Sequence, residues 1–260
     1  MKKLVLALSA IAAFTGPVLA ADMATKAPMR AAPLPVASWT GCYIAGGGGY
    51  GLFDVESREV DRVTGATVAF QGDTGGRGWM GQVGGGCDYQ FAGPLGNWVV
   101  GILGDYTFSD VKGDHVGAPF TSWVSRLKED NSWAVGGRIG YLVSPTFLTY
   151  FSGGYTESHF KSSIATNFVT GLPATPSFAL QSANYQGWFL GSGFEYGLGF
   201  LPGLYLKTEY RFSEFDRKQL NVVNTAGTIV ATENLKPFTQ SVITSLVYRF
   251  NWGGVVGPRY

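Results

Sequence analysis

Alternating short stretches, abundant aromatic residues and glycines, and the lack of any spanning apolar run after the N-terminus predict an all-β fold. The predicted class is an eight-stranded antiparallel up-and-down transmembrane β-barrel. The clearest stretch is 204–215, LYLKTEYRFSEF. Leu204, Leu206, Thr208, Tyr210 and Phe212 share one face, and Tyr205, Lys207, Glu209 and Arg211 the other. Other segments repeat this pattern, and the chain offers no second apolar layer to cover them all. Lipid outside and charges inside a closed barrel resolves the difficulty. The 18 Phe, 13 Tyr, 7 Trp and 38 Gly suit packed strands. In a helix each Gly would cost roughly 1 kcal/mol relative to Ala.

Residues 1–20 read as a secretory signal peptide. Lys2 and Lys3 form the basic end, an apolar run follows to Phe14, and Val18-Leu19-Ala20 supplies small residues at the cleavage positions. The run is too short for a membrane anchor. Its removal takes two Lys and no acid, so the formal charge of +1 becomes −1. A nearly neutral mature chain argues against nucleic acid as a partner. Residues 21–38, with three Pro and no periodicity, read as a flexible leader. In an exported chain Cys42 and Cys87 can form a disulfide or remain two small apolar side chains.

In order, the predicted strands are 39–52, 78–91, 98–109, 132–142, 147–157, 185–198, 204–215 and 238–250. Strand one is glycine-rich, which eases close approach and bending. The stretches 53–77, 110–131, 158–184 and 214–237 show no sustained alternation and read as long loops. The other connections are short and fall at the end shared by both termini. Long and short connections alternating around an even strand count match a bacterial outer-membrane barrel. Its termini would be periplasmic, with residues 39–252 as the barrel and 253–260 as a tail. Closure is required because hydrocarbon cannot hydrogen-bond an exposed strand edge.

The inward charges expected are Asp105, Arg138, Glu195, Lys207, Glu209 and Arg211. They must pair, because a lone buried charge costs several kcal/mol. Arg138 is expected to reach Glu195, and Lys207 to reach Glu209 or Asp105. Such a set makes either a polar conduit or a salt-bridged plug, and an eight-stranded barrel is narrow enough for its own side chains to fill. Trp39, Trp98, Tyr196, Phe250 and Trp252 are expected at the periplasmic interface. Tyr50, Trp79, Tyr106, Trp133 and Phe212 are expected at the outer one. The two histidines, His115 and His159, fall in predicted loops, with Ser109, Asp110 and Asp114 close to His115 in sequence. These neighbours are weak grounds for a lipid-modifying enzyme. No metal-ligand spacing or cofactor motif is present.

Several segments together resemble the alphaproteobacterial outer-membrane immunogenic proteins, a porin family with an OmpA-like β-barrel. They are Trp39-Thr40-Gly41-x-Tyr43-Ile44, Asp88-Tyr89-Gln90-Phe91, Asn97-Trp98-Val99, Arg138-Ile139-Gly140-Tyr141, Gly193-Phe194-Glu195-Tyr196, Lys207-x-Glu209-Tyr210 and Tyr248-Arg249-Phe250. The resemblance implies an abundant, surface-exposed structural barrel without catalysis. Its expected partners are outer-membrane lipid and lipopolysaccharide, the barrel-insertion machinery, and a host or surface ligand met by the loops. The family usually has an acid where this chain has Leu103, and aromatics where it has Cys42 and Cys87. Both cysteines would face outward on adjacent strands, within bridging range. The chain also runs past Phe250, so either Phe250 or Tyr260 would be the insertion signal. A small porin is the alternative function, and a lipid-modifying enzyme the third.

Overall fold

A computed structural model describes residues 38–61, 63–116, 123–167, 170–173 and 177–250. The expected signal peptide, nearly all of the leader, Trp252 and the tail lie outside the described residues. Everything below belongs to the compact unit Pro35–Tyr260.

Eight strands form a closed antiparallel ring: β1 (Gly41–Val60), β2 (Thr67–Gly93), β3 (Gly96–Val116), β4 (Trp123–Ser144), β5 (Phe147–Ser162), β8 (Ala183–Gly197), β9 (Leu204–Phe215) and β11 (Ile229–Phe250). Three short strands, β6 (Thr166–Asn167), β7 (Phe178–Leu180) and β10 (Lys218–Asn224), extend its rim. Closure is made by β1 against β11, from Cys42↔Phe250 to Glu59↔Glu233. Every spanning strand therefore has two hydrogen-bonded neighbours, as hydrocarbon demands.

Along β11, Phe250, Tyr248, Leu246 and Val242 are exposed while Arg249, Val247, Ser245 and Ile243 are buried. The period of two thus puts apolar side chains outside and polar ones inside. Two aromatic rings bound the apolar wall. Trp98, Tyr141, Phe147, Tyr196 and Phe250 lie near the short-turn end; Tyr50, Trp79, Trp133, Trp188 and Phe238 lie near the other. At a usual rise and strand tilt, Phe238 to Phe250 covers roughly 30 Å of barrel height, a hydrocarbon thickness. The turns at Pro94-Leu95 and Pro145-Thr146 are tight; Leu95 adopts φ 66° between Pro94 and Gly96.

The strands reach well beyond the outer ring, which corrects the expectation of four long loops. Residues 53–60 continue β1, and β2 starts at Thr67. Similar extensions fill much of 110–131, 158–162 and 229–237. Geometry does not change there, but chemistry does: Phe53 and Val55 point inward and Asp54 and Arg58 outward. The apolar face switches sides at Leu52-Phe53 because water replaces lipid outside. Above the ring the barrel obeys the ordinary rule of an apolar interior, with Phe53, Val111, Leu127, Phe160, Phe215 and Leu235 packed in one cluster. Pro237, at the end of the expected loop 214–237, lies in β11 where its neighbour changes from β9 (Phe238↔Glu214) to β10 (Leu235↔Lys218). An interruption of the ladder is the place where a strand tolerates proline.

Candidate functional site in the lumen

The lumen holds two stacked tiers of ions. In the tier nearer the short turns, Arg138 of β4 and Arg249 of β11 face Asp88 of β2 and Glu195 of β8. Arg138 donates from Nε to Asp88 Oδ1 (2.9 Å) and from Nη1 to Glu195 Oε1 (2.5 Å). Arg249 donates to Asp88 Oδ2 (2.6 Å) and Glu195 Oε2 (2.5 Å). Each carboxylate thus bridges both guanidiniums, in the forked geometry suited to arginine. All four side chains are at most 1% exposed. Tyr43 and Tyr150 stack near Arg138, and Trp39, Tyr43 and Tyr205 surround Arg249. The room for Asp88 comes from Gly101, its register partner on β3: a Cβ there would overlap the carboxylate.

The second tier centres on Arg211. It holds Asp105 through two bonds (2.9 and 2.8 Å) and Glu209 through Nε (3.0 Å) and Nη2 (2.8 Å). Tyr150 donates its hydroxyl to Glu209 (2.7 Å), and Lys207 lies 3.8 Å from the same carboxylate. Two cations and two acids make each tier neutral. Higher still, Glu129 is buried and accepts from Ser158 (2.8 Å) and Ser109 (3.5 Å). Desolvation pushes its carboxyl up to about 7, the two hydroxyls pulling the other way. A cavity of about 20 Å³, the size of one water, touches Glu129, Gln82, Thr107 and Arg211.

Of the six charges read from sequence, the structure brings Arg138 to Glu195, Arg211 to Asp105 and Glu209, and Lys207 to Glu209. Asp105 pairs with Arg211 rather than with Lys207. Asp88 and Arg249 were missed as lumen ions, although each sits between outward residues and strict parity puts both inside. Trp39 is a correction. It is fully buried in the lumen, bonded through Nε1 to Pro145 O (3.0 Å) and packed on Tyr205, so it is no interface residue. Its odd position matches inward Tyr43, a cue that an aromatic at a strand start obscures. Tyr50, Trp79, Trp98, Tyr106, Trp133, Tyr196, Phe212 and Phe250 face outward. Cys42 and Cys87 are register partners on β1 and β2, bonded with an S–S distance of 2.06 Å and Cα atoms 3.9 Å apart.

The histidines are strand residues, not loop residues. His115 is buried on β3 between Thr74 (2.8 Å) and Glu233 (2.9 Å), and His159 on β5 meets Asn184 (2.5 Å). Ser109 and Asp110 point to other partners, Glu129 and Lys112, and Asp114 to Arg126. Among the described residues no group of His, Cys, Asp or Glu is arranged to hold a metal ion.

A closed ring of eight strands, apolar outside and ionic within, defines a transmembrane β-barrel. The chain belongs to the outer membrane protein beta-barrel domain family, whose model matches residues 6–257. It is 30% identical over 226 residues to the 31 kDa outer-membrane immunogenic protein of Brucella melitensis biotype 1, covering 85% of this chain and 90% of the relative. The protein of the same name from Brucella suis biovar 1 matches equally. Among solved structures, OprG of Pseudomonas aeruginosa shares 13% identity over 83% of this chain and 99% of its own, with a TM-score of 0.49. The protein resides in the cell outer membrane.

Proposed function

We propose that this protein is a structural barrel that contributes to envelope integrity and displays its outer rim at the cell surface, without catalysis. The observation that carries this reading is the filled lumen. Two neutral ion tiers and the Trp39 ring occupy it below, and the apolar cluster around Phe53, Phe160 and Phe215 caps it above. In this reading the signal peptide 1–20 is removed, the leader and both chain termini face the periplasm, and the barrel-insertion machinery seats the chain. Any specific partner, such as a host or surface ligand, is met by the extended outer strands.

Planar-bilayer recording tests the assignment against the porin alternative. Purified, refolded barrel is expected to insert without steady conductance. Steady openings that change with Glu195→Gln or Arg138→Gln would make it a porin.

A further inference from the structure

Cations above the outer aromatic ring are unevenly arranged. Around β9 and β11 two are matched singly, Lys236 with Glu214 (2.5 Å) and Arg217 with Glu56 (2.7 Å), and Lys218 donates to Asn184 O (3.1 Å). On the wall formed by β2 to β5 they are not. There Arg77 is the register partner of Lys112, Lys112 of Lys128, and Lys128 of Lys161. Four cations therefore stand side by side on four adjacent strands, an arrangement that like-charge repulsion disfavours.

Two carboxylates are shared among them. Asp110 contacts Lys112 (2.8 Å) and Lys128 (2.7 Å), and Asp130 contacts Lys161 (2.7 Å) and Lys128 (3.5 Å). Hydrogen bonds from Lys112 and then Lys128 hold the Asp110 carboxyl at about 2, so this acid stays ionised across ordinary pH. Nearby acids have other neighbours: Asp114 meets Arg126, Glu157 meets Asn184, and Asp54 and Asp73, above Arg77 on β1 and β2, lie close enough to repel each other. Among the described residues Arg77 makes no ion pair within 4.0 Å. Four cations less two acids leave the row with an excess of two positive charges. Lys112 and Lys161 keep 43% and 48% of their side-chain surface open.

Height identifies the occupant. Arg77 is the first outward residue above Trp79, Lys112 the second above Phe108, and Lys161 the third above Tyr155. The row thus climbs through roughly 5–15 Å above the aromatic ring. It faces sideways into the headgroup layer, whereas a soluble partner arriving from outside meets the strand tips first. We infer that Arg77, Lys112, Lys128 and Lys161 bind phosphate groups of the lipopolysaccharide packed against this wall. An anion between paired lysines removes the repulsion that the register imposes. The inference rests on the transmembrane reading of the barrel.

The test uses the full refolded barrel in detergent, with purified lipopolysaccharide and the same material stripped of its phosphates, and counts bound glycolipid by native mass spectrometry. The wild type is expected to bind the phosphorylated form about tenfold more tightly. R77Q/K112Q/K128Q/K161Q should bind both forms alike, and R217Q/K236Q should keep the preference. D110N/D130N, which retains all four cations, should strengthen the preference. Equal binding of the two forms by wild type, or an unchanged preference in the quadruple variant, overturns the inference. Unheated gel mobility separates this from failure of the fold: a compact wild-type species without phosphate preference sinks the site and leaves the barrel.

Discussion

Glu195 shows how much a single lumen side chain carries. It accepts from both Arg138 and Arg249 where neither guanidinium reaches water. Glu195→Ala strands two positive charges against one Asp88, and about 3–5 kcal/mol of barrel stability should disappear. Urea unfolding in lipid vesicles measures that loss. Glu129 behaves oppositely, because it has two serines and no cation. Its folded value of about 7 exceeds the ordinary 4.5, so the folded state holds its proton longer. Stability on this account is full below about pH 4.5, declines as the unfolded chain ionises, and levels off above pH 7, a total of about 3 kcal/mol. Glu129→Gln should abolish that slope, measured as the unfolding midpoint between pH 4 and 8. Arg138 and Glu195 were legible because an isolated charge in an apolar alternation has one place to go. Asp88 and Arg249 obey the same parity, but each lies in a short motif dominated by outward aromatics, Tyr89 beside Asp88 and Tyr248 and Phe250 beside Arg249.

At the level of strands, the membrane-spanning halves were readable and the outer halves were not. Between the aromatic rings the pattern apolar-out, polar-in is continuous, so residues 204–215 were bounded correctly. At Leu52-Phe53 two apolar residues adjoin, the pattern shifts by one, and a search for a single alternation stops. Strand pairing itself continues to Glu59↔Glu233. The pairing Cys42↔Cys87 joins β1 to β2 across 45 residues of chain. Non-reduced digests should yield one linked peptide, and free thiols at both positions would refute the bond. Cys42→Ser/Cys87→Ser should cost about 2–4 kcal/mol, seen as a lower temperature for loss of compact gel mobility.

The whole molecule depends on closure and on a filled interior. Counting strands and alternating connection lengths was enough to foresee closure, because both are properties of order along the chain. Whether the six inward charges left a passage could not be foreseen. That turns on side-chain reach: Tyr150 bridging the tiers, Trp39 folding into the mouth, and glycine at 101 admitting Asp88. Composition could not reveal the outer cap either, since its apolar residues are spread over β1 to β5 and β7 to β11.

Spin labels placed singly along β11 from Gln240 to Tyr248, in the Cys42→Ser/Cys87→Ser background, test inversion and closure together. Labels at Val242, Thr244 and Leu246 should relax with oxygen dissolved in lipid, and labels at Ile243, Ser245 and Val247 should be shielded from both oxygen and a water-soluble nickel complex. Free access of the nickel complex to the odd positions, or no alternation at all, would contradict the account.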